Sequence, residues 1–256
     1  MSWLYDAPIP LVGVLFVLSI LAALELGHRL GRIVPVEEHQ ISSITASILA
    51  IVGLLLAFSF SMAGDRLAAR RAAVVAETSA ISTFWEYTSL LGEPSRSAVR
   101  STLRRYVALH VEHRRVGFDT VETRRIEAEA ASLQKELWAL LGEEARRNPD
   151  DLRLLLLVPA FNEMTDKTAV AIAAYENRVP DAILLYLFLL SVFAGVAVGY
   201  RPAGEGRRWI PWTMFTCILS GVLLILLDVD LPRRGLIQAD DSLYLRLQES
   251  IRNTPR

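Results

Sequence analysis

ISSITASILAIVGLLLAFSFSMAG, residues 41–64, holds 24 residues without a charge and runs directly into DRLAARR at 65–71. At ~1.5 Å rise per residue the uncharged part makes a helix about 36 Å long, enough to cross a hydrocarbon core of about 30 Å. Neither Pro nor Gly occurs from Asp65 to Leu91. The helix is therefore expected to leave the bilayer as one continuous rod and to end near Leu91.

Three further windows are equally bare of charge: Ala7 to Leu24, Ala182 to Tyr200 and Trp209 to Leu227, of 18, 19 and 19 residues. This segregation explains how 52% hydrophobic and 21% charged residues share one chain. A soluble core built from four such stretches would outgrow the polar residues left to cover it. The expected class is all-α and integral to a membrane, with transmembrane helices at about 8–28, 41–64, 181–200 and 209–228 and a helical domain inserted between the second and third. The first window lacks a basic residue before its apolar part, and Glu25, His28 and Arg29 follow it, so it reads as a retained span rather than a cleaved signal. The expected domains are 1–64, a first helix pair; 65–179, the insert; 180–230, a second pair; and 231–256, a tail with a short helix.

Within the insert, apolar residues recur three and four apart among Arg and Glu, the pattern of amphipathic helices in water. Gly92-Glu93-Pro94, Gly117-Phe118-Asp119 and Asn148-Pro149-Asp150-Asp151 punctuate it, the second with Asp119 and Glu122 spaced as a capping box. Helices are expected near 65–91, 94–116, 120–147 and 150–178. Leu152 to Phe161 is too short to span and contains Pro159, so it is expected to be buried or interfacial. Arg66, Arg70, Arg71, Lys167, Arg178, Arg233, Arg234 and Arg246 outnumber Arg29, Arg32, Arg201, Arg207 and Arg208 on the other side, which places insert and termini in the cytoplasm. Trp3, Tyr5, Tyr200, Trp209 and Trp212 fall at interface depths.

Along 41–65, Ser43, Ser47, Ala50, Leu54, Phe58, Ser61 and Asp65 recur at steps of three or four and share one helix face, with Ile51 and Leu56 assigned to other faces. That face is polar at both ends and apolar at Leu54 and Phe58. Repeated around an axis, it would line a wetted conduit whose apolar waist gates by dewetting. Small residues at such spacing also serve close helix packing, the commoner use in membranes.

Gly53-Leu54-Leu55-Leu56-Ala57-Phe58-Ser59-Phe60, then Asp65-Arg66 and Ala69-Arg70-Arg71, resembles the second helix of the bestrophin channel family, and more closely of its bacterial bestrophin-like relatives. Glu176-Asn177-Arg178-Val179-Pro180, Asp228-Val229-Asp230-Leu231-Pro232-Arg233-Arg234-Gly235 and Asp240-Asp241-Ser242-Leu243 fall where that family has comparable landmarks, while residues 92–160 add little. The resemblance implies a homo-oligomer, by family analogy a pentamer, around an anion-conducting pore. In it Leu54 and Phe58 match the apolar neck by their spacing from Asp65; together with the helix face above, the candidate pore-lining residues are Ser47, Ala50, Leu54, Phe58, Ser61 and Asp65, and the candidate salt-bridge or junction residues are Asp65, Arg66, Arg70, Asp228 and Asp230. Two departures stand out: Leu67 and Ala68 replace aromatics after the Asp-Arg pair, and Pro232-Arg233-Arg234-Gly235 replaces a Pro-Phe-Gly turn. Asp228, Asp230, Asp240 and Asp241 are only loosely similar to the calcium clasp of animal bestrophins, and Asp240 or Asp241 serves as a helix cap, so calcium is not expected.

Other chemistry is thin. His110 and His113 stand i, i+3 around Glu112, a spacing open to a metal, although on a charged helix it reads as a solvated face. Glu25 and Arg29 can pair at i, i+4, and His28 between them raises a proton-linked role that no other residue supports. No phosphate loop, HExxH, nucleophile elbow or Cys/His pair is present, the single Cys217 lies in the fourth window, and Lys135 and Lys167 are the only lysines. Neither enzymatic activity, nor a cofactor or metal, nor nucleic acid is expected. Two functions remain. One is an oligomeric channel for small anions or other small solutes in a bacterial inner membrane; the other is a non-conducting scaffold or sensor whose insert binds a partner.

Overall fold

The computed structural model describes residues 8–34, 38–115, 120–200, 209–231 and 242–253. They form α1 (Ile9–Ile33), α2 (Glu38–Tyr87), a 3-10 turn (Thr88–Leu90), α3 (Ser95–Arg115), α4 (Thr120–Arg147), α5 (Leu154–Glu176), α6 (Asp181–Gly199), α7 (Trp209–Asp230) and α8 (Ser242–Asn253). Four helices are long and apolar enough to cross a membrane by length and composition. The residues at 1–7, 35–37, 116–119, 201–208, 232–241 and 254–256, which include Trp3, Tyr5, Asp119, Arg201, Arg207, Arg208, Arg233, Arg234, Asp240 and Asp241, lie outside the described residues.

Two compact units divide the chain. The first comprises 1–66, 178–231 and 235–237. Here Pro8 and Pro180 stand at the caps of α1 and α6, where a missing N–H costs nothing. α1 packs on α6 and on α7. Phe16 stacks on Phe188, Gly27 meets Val196 and the Tyr200 hydroxyl donates to the Val34 carbonyl, so α1 and α6 run parallel. Their approach is backbone on backbone. A Cβ on Gly27 would stand 2.0 Å from the Val196 carbonyl oxygen, and one on Gly199 would stand 2.1 Å from that of Leu24. Gly195 adds a third near-contact, 2.9 Å from the Ala23 Cβ. Ala23 and Gly27 on α1 thus face Gly195 and Gly199 on α6, the small-residue spacing that lets apolar helices gain dispersion contacts where no hydrophobic effect drives them together.

The second unit comprises 67–177, 232–234 and 238–256. Ile81, Phe84 and Trp85 of α2, Leu103 and Tyr106 of α3, Leu133, Leu137 and Leu141 of α4, and Leu157, Phe161 and Met164 of α5 form one buried core. Leu247 and Ile251 of α8 join it, so the helix expected in a separate tail is part of this unit. Amphipathic spacing explains the docking: residues 244, 247 and 251 recur every three or four positions on one face, and all three are buried.

The helix limits lie within a few residues of the sequence reading, with two larger departures: α1 runs on to Ile33 rather than ending near 28, and α5 starts at Leu154 rather than near 150. Asp151 explains the delay. Its Oδ1 accepts the backbone N–H of Arg153 at 2.9 Å and the Arg153 guanidinium at 2.7 Å, an aspartate turn that holds the chain out of the helix for two more residues. The paired guanidinium keeps the Asp151 carboxyl below the usual carboxylate range. The segment around Pro159 is split: Leu157 and Phe161 are core, whereas Leu152, Leu155 and Leu156 are exposed.

Candidate functional site

Ser47, Ala50, Leu54, Phe58, Ser61 and Asp65 are all exposed on α2. Between residues 41 and 64 only Val52, Ser59 and Ala63 are buried. At about 100° per residue those three lie roughly 160° around the helix from the centre of the exposed stripe. The helix therefore has one face turned to its own chain and the opposite face turned away. Its most apolar 18-residue window is 6% buried, against 33 to 39% for the other three long apolar helices, so this is the helix the single chain covers least. A Cβ on Gly53 or Gly64 would meet nothing within 4 Å. Ile51 corrects the sequence reading: it precedes Phe58 by two helical turns, is 48% exposed and flanks the same stripe.

The polar ends of the stripe are stabilised within the helix. Ser47 donates to the Ser43 carbonyl at 2.9 Å and Ser43 to the His39 carbonyl at 3.1 Å, so their hydroxyls can lie in an apolar setting without loss. Asp65 makes no ion pair among the described residues, and Arg66 donates to the Met62 carbonyl at 3.1 Å. Neighbours in a helix point about 100° apart, which keeps the Asp-Arg dipeptide from closing on itself.

The other junction residues do structural work at helix ends. Arg70 is 1% exposed, and its guanidinium donates to the Ala174 carbonyl at 3.2 Å and the Asn177 carbonyl at 2.8 Å. It thereby satisfies carbonyls that the C-terminus of α5 leaves open, and a cation there complements the helix dipole. Asp230 is fully buried at the end of α7, where Oδ1 accepts the Val179 N–H at 3.0 Å just before α6. Asp228 is half-buried.

The two histidines part company. His110 Nδ1 lies 3.3 Å from Glu77 Oε1, while His113 Nε2 lies 3.7 Å from Glu127 Oε1. Their side chains are 13% and 17% exposed, so this is not the solvated face that a charged helix suggested. No group of three metal-ligating side chains occurs among the described residues. Glu77, missed in the sequence, is the centre of this region. Its carboxyl also accepts from Thr168 at 3.0 Å and from the Tyr244 hydroxyl, and Tyr244 stacks on His110. Tyr106 shares a hydrogen bond with Thr168 at 2.9 Å and accepts one from Gln134 at 3.0 Å. Burial pushes the Tyr106 hydroxyl up from its ordinary value, so it stays a protonated donor. Helices α2, α3, α4, α5 and α8 are tied by this one network. It fastens these helices to one another.

Long apolar helices, a small-residue contact between two of them and a charged helical unit define an all-helical membrane fold. Compared with solved structures, the fold is similar to a bacterial bestrophin homolog from Klebsiella pneumoniae, with a TM-score of 0.57 over 95% of this chain and 97% of that one at 13% identity. It is also similar to a structure described as a membrane protein S19A, with a TM-score of 0.51 over 96% and 89% of the two chains at 17% identity. No family model matches the sequence, and no curated protein does.

Proposed function

We propose that this chain is the subunit of a bestrophin-like homo-oligomeric channel, by family analogy a pentamer, passing small anions or other small solutes across a bacterial inner membrane. In this reading it acts without catalysis, four spans put the insert and both termini on one side, and the excess of arginine on that side makes it the cytoplasmic one. The observation that carries the reading is the face of α2: six residues chosen by spacing are exposed together, opposite the face buried against the same chain. A stripe polar at its ends and narrow at Leu54 and Phe58 suits an axis shared by several copies better than a uniformly apolar lipid. The likeness of fold to a bestrophin homolog supports the same arrangement.

The mass of detergent-solubilised particles is the first check, with a closed oligomer expected; a monomer in several detergents and in nanodiscs would remove the reading. The second is flux into proteoliposomes. Leu54→Ala and Phe58→Ala widen the waist and are expected to raise anion flux roughly tenfold each, equivalent to a barrier about 1.4 kcal/mol lower. Val52→Ala, on the buried face, is expected to change stability and not flux.

The scaffold reading has one observation in its favour: Leu152, Leu155 and Leu156, 48 to 76% exposed at the start of α5, make an apolar patch on the insert. If parent and waist variants all fail to conduct while Leu155→Glu abolishes capture of a partner, that reading replaces the channel.

A further inference from the structure

Trp212, Thr216 and Ser220 form one ridge of α7 at steps of four, and each is only 2 to 3% exposed. Both ends of the ridge meet α1. The Trp212 ring stands edge-on to His28, with centroids 5.8 Å apart and planes at 76°. Leu224, the next residue of the ridge, lies 3.1 Å from where a Cβ on Gly13 would be. Thr216 and Ser220 therefore lie along α1, between these two contacts. His28 is itself 1% exposed.

Among the described residues, neither ring nitrogen of His28 has a hydrogen-bond partner, and nor do Trp212 Nε1, Thr216 Oγ1 or Ser220 Oγ. Other hydroxyls on these helices behave differently: Thr213 donates to the Trp209 carbonyl and Ser191 to the Leu187 carbonyl, both at 2.8 Å. α1 has nothing to offer in exchange. Between Gly13 and His28 its polar side chains are Ser19, which donates to the Phe16 carbonyl, and Glu25, which accepts from Arg29. A buried polar group left unmade costs about 1–3 kcal/mol, and this ridge collects several in apolar surroundings. Residues four apart on a helix are about 6 Å apart along its axis. Two hydrogen bonds of about 2.8 Å through one water span nearly that distance.

We propose that the seam between α1 and α7 is a binding site for water: a short file that bridges Trp212, Thr216 and Ser220 and ends on the His28 ring. The indole N–H can only donate, so the first water presents its oxygen to it, and the hydroxyls that follow both donate and accept. His28 is five residues from the end of α1, about 8 Å along the axis, which makes that end of the bundle the file's short route to solvent. The path is separate from the exposed face of α2 and holds whether or not that face lines a pore.

Silver ion, a small water-borne thiol reagent, tests the proposal in the full-length protein after the exposed Cys217 is replaced by alanine. Thr216→Cys and Ser220→Cys are expected to be blocked roughly tenfold faster than Leu219→Cys, a buried apolar position on the same helix. Blocking is read by maleimide labelling after denaturation. Equal rates at all three positions would overturn the proposal. Thr216→Val gives a second readout that keeps the side-chain shape. A hydrated seam loses water bonds and melts at lower temperature, whereas a dry seam is relieved of an unmet hydroxyl and melts at the same temperature or higher.

Discussion

Glu77→Ala is expected to destabilise the second unit by about 4 kcal/mol, because it strips three partners at once. Thr168, Tyr244 and His110 all lean on the same carboxyl, which is 2% exposed. Loss of one acceptor from a buried donor costs about 1–3 kcal/mol, and three such losses sum to a large share of the ~5–15 kcal/mol that holds a typical domain together. Glu77→Gln keeps one carbonyl oxygen and is expected to lose about half as much. Denaturant titration of the detergent-solubilised protein, followed by the fluorescence of buried Trp85, measures both. A Glu77→Ala protein as stable as the parent would show that the network is incidental.

Gly199→Ala and Gly27→Ala carry the other large effect. The added methyl would sit about 2 Å from a carbonyl oxygen of the facing helix, well inside any allowed contact, and backbone cannot rotate out of the way as a side chain does. α1 and α6 must separate, and the loss is expected to exceed the roughly 1–3 kcal/mol of ordinary overpacking. Gly53→Ala and Gly64→Ala are the natural contrast. Nothing lies within 4 Å of either Cβ, and replacing glycine inside a helix is expected to gain about 0.5–1 kcal/mol. Thermal melting of the four variants side by side decides the matter; equal curves would mean that the two helices are not held by this contact.

The sequence made the helices legible because absence of charge and helical spacing are local properties. The run from Ile41 through Arg71 announced both a crossing segment and its continuation, and α2 follows that reading to Tyr87. The stripe from Ser47 to Asp65 was legible for the same reason, since spacing alone fixes a face. Ile51 was misassigned because a face is wider than a single row of side chains. What spacing cannot give is which distant element arrives at a face. Glu77 draws its partners from positions 91 and 167 residues away, and within its own helix it looks like one more acid among arginines. Gly27 and Gly199 likewise look unremarkable until two helices are laid side by side. Charged neighbours in sequence make His110 look solvated, although its neighbours in space are Tyr106, Tyr244 and Glu77.

The docking of α8 also bears on how the protein is made. Glu77 leaves the ribosome 167 residues before Tyr244, a delay on the order of 10–30 s at ordinary rates of synthesis. Throughout that interval Ile81, Phe84 and Trp85 have been made, while Leu247 and Ile251, which help to cover the same core, have not. The second unit, begun at residue 67, is therefore finished last, after both apolar helix pairs have been synthesised. Its closure waits for α8, and a nascent chain arrested before Ser242 would present an incomplete core to whatever holds unfinished proteins at the membrane.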